Sequence, residues 1–292
     1  MDTREKILPS SPRLQIARAT AVAVLSSNIQ PTSPLTITLM TDASKDFLCA
    51  DVKFASEPSL SYACTGFLVA PDLLVTAGHC MVTTGESHDE QNSYCEAFSW
   101  LFDYRANENG DTATQSISSA NLYGCKKIVY AVREETPPFR DYALVQLDRD
   151  VTDRESLTLS SSTVLPFDEV SMIGYPLGQP AVLSRDAFVL LNNPNAQSFI
   201  TNLDAFEGNS GSPVFNSRNE VIGLLTGGTP INSLRSDRTL ACDRYNSCDE
   251  FGNHCEEPDL DTMVIPEFQR TGTIVQRIEP IQKMIQTLLL SI

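Results

Sequence analysis

The chain has 292 residues, 41% of them apolar and 20% charged, with 14 glycines and 17 prolines. That is the composition of a globular protein and excludes a disordered or collagenous one, while the length calls for one large β-domain or two medium domains. Thirty-seven acids against 21 bases give a net charge of −16, with 12 bases and 19 acids in residues 1–150 and 9 and 18 in residues 151–292. An acid excess in both halves argues against nucleic acid or an anionic membrane surface as partner.

The opening Met1-Asp2-Thr3-Arg4-Glu5 mixes both signs of charge and does not read as a secretory signal. The run Ala21-Val22-Ala23-Val24-Leu25 is far shorter than the roughly 18–20 apolar residues that span a bilayer. From there the body reads as strands: Phe67–Val69, Leu73–Val75, Lys127–Tyr130, Ala143–Leu147, Val170–Ile173, Phe188–Leu191, Ser198–Ile200 and Val221–Leu225. Each is short, rich in β-branched or aromatic residues and bounded by turn formers, a pattern of sandwiches or barrels and not of βαβ units. Thr84–Ser93 is predicted to be a solvated loop; Ser233–Asp261, with three cysteines and, within Asp243–Asp261, seven acids against one Arg, also reads as a loop but bears on the site treated below. Asp150–Ser162, polar and with three serines in a row, is the expected internal boundary. A helix is predicted over Ile274–Leu290, where Ile278, Ile281, Ile285 and Leu288 recur at helical spacing and Pro280 suits the first turn.

The eight cysteines (49, 64, 80, 95, 125, 242, 248 and 255) are even in number and dispersed, with no CxxC pair. They predict a disulfide framework and an oxidising compartment. With the unsuited N-terminus, this implies a secreted or periplasmic protein whose signal has been removed and whose Met1 is an added start; a cytosolic protein with free thiols is the alternative. Cys242, Cys248, His254 and Cys255 could form a zinc site only at spacings unlike the usual short ones, so no metal and no cofactor are expected.

Three distant segments carry the chemistry: Thr76-Ala77-Gly78-His79-Cys80, Arg140-Asp141-Tyr142, and Gly208-Asn209-Ser210-Gly211-Ser212-Pro213. A serine hydroxyl is a poor nucleophile unless a base lies within hydrogen-bond reach, and the base needs a carboxylate to fix its tautomer. Glycines around the serine expose a turn whose backbone N–H groups can face a developing oxyanion. Each segment alone is an ordinary turn or structural residue. Their order His, Asp, Ser makes the combination specific.

On these residues the chain resembles the chymotrypsin-like serine proteases, in the bacterial branch that includes glutamyl endopeptidases. Cys64–Val69 with Leu74–Cys80 resembles the family's histidine segment and its disulfide. Ile173-Gly174-Tyr175-Pro176, Gly208–Phe215 and Glu220–Gly223 resemble the second half of the glutamyl endopeptidase pattern, and Ile7-Leu8-Pro9, with Arg13 and Gln15-Ile16, resembles the start of the mature enzyme. The resemblance implies an all-β fold of two packed antiparallel six-stranded β-barrels with a C-terminal helix. The expected division is an N-terminal segment 1–16, a first barrel 17–150 with His79 and Asp141, a second barrel 163–272 with Ser210, and the helix 273–292. It implies His79 as base, Asp141 as orienting acid, Ser210 as nucleophile, an oxyanion hole from the N–H groups of Gly208 and Ser210, and a Cys64–Cys80 disulfide. Of the fifteen pairings then left for six cysteines, one containing Cys95–Cys125 is expected.

Two departures bear on activation and on specificity. Animal trypsin-like enzymes place before the nucleophile an Asp that pairs with a newly cut N-terminus; here that position is Asn209. Glutamyl endopeptidases carry a His on the strand after the nucleophile, where this chain has Leu224-Leu225-Thr226-Gly227-Gly228. Asp204, six residues before Ser210, stands where trypsins hold their pocket acid, and in this fold the acidic loop after Gly228 is expected to line the same pocket and add field of the same sign. Asp204, Thr226 and Gly228 are therefore the expected substrate-binding residues, and the predicted activity is that of a monomeric serine endopeptidase acting on proteins or peptides after Arg or Lys. The rivals are a glutamate-specific or broad protease of this fold and an inactive homologue serving as a binding module. An esterase is disfavoured because the Gly-x-Ser-x-Gly elbow is missing.

Overall fold

Twelve strands form two barrels, and both barrels use the same connectivity. The computed structural model describes residues 2–61, 63–83, 88–228, 234–246 and 272–289, with the backbone alone for 88–92 and 288–289. The first barrel contains β1 (Thr20–Leu25), β2 (Thr65–Ala70), β3 (Leu73–Thr76), β4 (Phe98–Phe102), β5 (Leu122–Arg133) and β6 (Asp141–Leu147). Around the barrel they run β1-β2-β3-β6-β5-β4 and close on β1. The second contains β7 (Glu169–Gly174), β8 (Val182–Asn192), β9 (Ser198–Thr201), β10 (Pro213–Phe215), β11 (Val221–Gly228) and β12 (Thr273–Arg277). Its order is β7-β8-β9-β12-β11-β10, closed by the pairing of β10 with β7. All these pairings are antiparallel, as the resemblance implies.

Every strand expected from the sequence lies within one of the twelve. Closure pairs the strand edges within each barrel; β1, buried over all but its last residue, reads as a nearly continuous apolar run. The core of the first barrel, around Trp100, Phe67 and Leu74, is continuous with Tyr175, Phe215 and Leu224 of the second. A separate cluster around Val189, Phe199 and Ile222 fills the second barrel.

Two expectations change. The predicted loop Thr84–Ser93 overlaps a helix, α2 (His88–Ala97), after α1 (Leu14–Arg18). Its sequence has no apolar stripe to betray it, and the disulfide Cys95–Cys125 fastens it to β5. The predicted C-terminal helix starts only at Glu279, as α3 (Glu279–Leu289), with Pro280 in its first turn. Residues 273–277 instead form β12, paired with both β9 and β11. Beside it, Ile278, Ile281 and Ile285 are buried in the continuous core.

Three disulfides join described cysteines: Cys64–Cys80, Cys95–Cys125 and Cys49–Cys242. The third, left open by the sequence, ties a hairpin of Leu234–Asp237 and Cys242–Tyr245 to residues before the first barrel's β2. It also leaves Cys242 without a thiolate for zinc; Cys248, His254 and Cys255 lie outside the described residues. Among the described residues no helix is long and apolar enough to cross a membrane. Because this bond bridges a sequence separation of 193, it strongly limits the unfolded chain. Replacing Cys49 and Cys242 together by Ser is expected to lower unfolding stability by about 2–5 kcal/mol, measurable by denaturant unfolding.

Candidate active site

His79 sits in a single helical turn, Gly78–Cys80, that follows β3. Cross-strand register sets Ala143 of β6 opposite Thr76 of β3, so the start of β6 lies beside that turn. Asp141 is the first residue of β6, and the hairpin mouth before it is closed by a Glu134–Arg140 ion pair. The bond from Arg140 holds the Glu134 carboxyl below its ordinary range. Gly78 is required by close approach: a Cβ there would stand 1.9 Å from the Val132 carbonyl oxygen and 2.9 Å from Asp141 Oδ1. Without one, Asp141 accepts twice from the histidine. Its Oδ1 takes the His79 backbone N–H at 2.8 Å and its Oδ2 lies 2.7 Å from Nδ1.

Ser210 comes from the other barrel, in the loop between β9 and β10. Its Oγ is 2.7 Å from His79 Nε2. With Nδ1 protonated toward the carboxylate, Nε2 is left to accept the serine hydroxyl proton. The loop is pinned to the first barrel through Thr65, whose N–H donates to the Ser210 carbonyl (2.7 Å) and whose Oγ1 donates to the Gly208 carbonyl (2.9 Å). Gly208 has φ +93°, and a Cβ there would lie 2.4 Å from the Tyr175 carbonyl oxygen. Tyr175 itself is buried, donates its hydroxyl to the Thr20 carbonyl, and has its phenol pushed up by burial.

The amides of this loop divide into two sets. Those of Asn209, Gly211 and Ser212 donate to Phe206, Leu225 and Asn209 carbonyls. Those of Gly208 and Ser210 have no acceptor among the described residues. Two adjacent, uncommitted N–H groups next to a hydroxyl can bind a developing negative charge.

The structure thus brings His79, Asp141, Ser210 and Gly208 together. Thr226 and Gly228 lie at the end of β11, half-buried and exposed, in the strand whose Leu225 accepts from Gly211 and donates to Ser212. Asp204 is half-buried, and its Oδ2 accepts from the Thr3 N–H (2.7 Å) and hydroxyl (2.8 Å). The acidic segment after Gly228 contributes differently from expectation. Its Asp243, with Asp42 and Glu207, lines a cavity of about 390 Å³ beside Gly208. Cys64 and Cys80 are near His79, but both sulfurs are in their disulfide and neither can ligate a metal. Gln276, Thr65 and Thr3 were not foreseen. Gln276 of β12 accepts the Asp141 N–H at 3.2 Å, so the second barrel also holds the acid of the first. No local sequence signal marks any of these three.

Among curated proteins, glutamyl endopeptidases of Staphylococcus aureus are similar to this chain. That of strain MRSA252 is 24% identical over 176 residues, 59% of this chain and 45% of its own length. That of strain MW2 is 24% identical over the same length, 49% of its own. The match therefore spans about half the length of these relatives. A solved structure described as Glu endopeptidase in complex with MPD aligns with a TM-score of 0.49 and 15% identity, over 78% of this chain and 86% of that one. The family model for the trypsin-like peptidase domain matches residues 64–224, just over half of the chain and the stretch containing His79, Asp141 and Ser210. By that match, the chain belongs to the trypsin-like peptidase family.

Proposed function

We propose that the chain is a secreted serine endopeptidase working through an acyl-enzyme. Ser210 Oγ attacks the scissile carbonyl, giving its proton to His79 Nε2, while Asp141 holds the imidazole and offsets its charge. The N–H groups of Gly208 and Ser210 receive the oxyanion. Collapse of the tetrahedral adduct expels the amine, which takes the proton from His79, and water repeats the sequence to release the acid. The observation that carries the reading is the pair of 2.7 Å contacts through the two nitrogens of His79, next to two unspent amides. The three disulfides support an oxidising compartment. Labelling of Ser210 by a fluorophosphonate, located by peptide mapping, tests the mechanism; absence of label in native protein would overturn it.

A preference for Arg or Lys is supported only by the place of Asp204 in the sequence, six residues before Ser210; its Oδ2 accepts from Thr3, and it is not among the residues lining the cavity beside Gly208. Asp204→Asn is expected to cut kcat/KM for Arg and Lys peptides roughly 30-fold or more and to leave Leu peptides within about 3-fold, since removing one member of a desolvated charge pair costs about 2–5 kcal/mol. The second reading, cleavage after Glu, rests on the name of the curated relatives. A matched series of Arg, Leu and Glu peptides separates them: an equal loss across the series, or a wild type preferring Glu, discards the basic preference and leaves the protease.

A further inference from the structure

The loop that presents Gly208 and Ser210 is gripped from outside by the segment Asp2–Lys6, and the grip centres on a buried arginine. Arg4 is fully buried. Its guanidinium lies 4.0 Å from the Tyr245 ring centroid, 4.5 Å from that of Phe206 and 5.2 Å from that of Phe54. Asp2 answers the charge, accepting from Nε at 2.9 Å and Nη2 at 2.6 Å. Nη1 has no hydrogen-bond partner and is served only by the aromatic faces. The segment cannot slide. Glu5–Lys6 pairs with Val182–Leu183 of β8, Lys6 pairs with Glu57, and Lys53 donates to the Arg4 carbonyl.

Two of these contacts land on the loop itself: Thr3 on Asp204 and Arg4 on Phe206. Phe206 is two residues before Gly208, and its carbonyl accepts the Asn209 N–H at 3.0 Å. Asn209 brings no charged anchor of its own. It is fully buried, its Nδ2 is unpartnered, and its Oδ1 is 3.5 Å from Ser212 Oγ. Phe206, two residues before Gly208, is therefore the point at which the buried charge of Arg4 meets this loop.

We propose that Arg4 is a positioning residue for the oxyanion hole: through Phe206 it holds the turn that aims the Gly208 N–H, and the segment Asp2–Lys6 is thereby part of the working site. This rests on the reading of Ser210 as nucleophile. A fluorophosphonate tests it without knowledge of the peptide substrate. Ser210 Oγ bonds to phosphorus, fluoride leaves, the proton passes to His79, and the P=O oxygen takes the oxyanion position.

The second-order labelling rate is expected to fall about 100-fold in Arg4→Ala, the scale of losing one oxyanion donor. Arg4→Lys should lie between, because an ammonium cannot stack on the rings as a guanidinium does. Millimolar methylguanidinium should restore at least about 10-fold to Arg4→Ala and nothing to Ser210→Ala, an effect that a purely structural arginine would not give. Equal rates in wild type and Arg4→Ala overturn the proposal, as does a loss that methylguanidinium leaves unchanged in a protein with the wild-type thermal midpoint. Should Arg4→Ala not fold, Phe206→Leu, which keeps the Arg4–Asp2 pair, decides by the same rate: a loss supports the proposal and a wild-type rate overturns it. A wild type that takes no label refutes the protease reading instead.

Discussion

Ser210→Ala is expected to reduce kcat by a factor on the order of 10⁶, the scale seen when the nucleophile of such a triad is removed. The hydroxyl is the bond-forming group, and no other hydroxyl is within reach of His79 Nε2 among the described contacts. The fold should be unaffected, since the loop is held by its backbone: Ser210 through its carbonyl to Thr65, Gly211 through its amide to Leu225. Progress curves with a sensitive peptide substrate, alongside thermal unfolding, check both halves. Turnover near wild type would exclude Ser210 as nucleophile.

Asp141→Asn is expected to lower kcat about 10⁴-fold with little change in KM. The side chain is nearly isosteric, so the 2.8 Å acceptance from the His79 backbone can persist through the amide oxygen. The position now held by Oδ2 then carries an NH₂ group facing Nδ1. Two donors cannot share that contact, so the imidazole turns over to the tautomer with its proton on Nε2. In that form it presents a donor to Ser210 and cannot take the hydroxyl proton. A kcat within about 10-fold of wild type would show that Asp141 does not set the tautomer.

The strands were legible because short, mostly apolar runs such as Ala143–Leu147 and Val221–Leu225 end in turn formers. The helix overshoot at the C-terminus has a definite cause. Ile274, Ile278 and Ile281 are spaced as on a helix, yet Thr273–Arg277 is closed into the barrel by two neighbours, which overrides local spacing. The true start was marked by Glu279-Pro280, a first-turn acid and proline. The helix α2 left no such signal, being polar and fixed from outside by a disulfide.

At the site, His79, Asp141 and Ser210 were legible because each sits in a local motif. The contacts that orient them were not. Gln276 reaches Asp141 across 135 positions and Thr3 reaches Asp204 across 201, so neither leaves a trace in spacing. The pairing of Cys49 with Cys242 was hidden for the same reason, since cysteine counts restrict partners without choosing them.

That bond changes what a cut in the chain does. Cys49 and Cys242 close a covalent ring that contains His79, Asp141 and Ser210, together with the connector Asp150–Ser162 between the barrels. One nick anywhere inside the ring opens it and sheds nothing, because both halves stay joined through sulfur. A cut in an exposed connector inside the ring thus leaves both barrels in one molecule. Release of a fragment needs a second cut or a reductant.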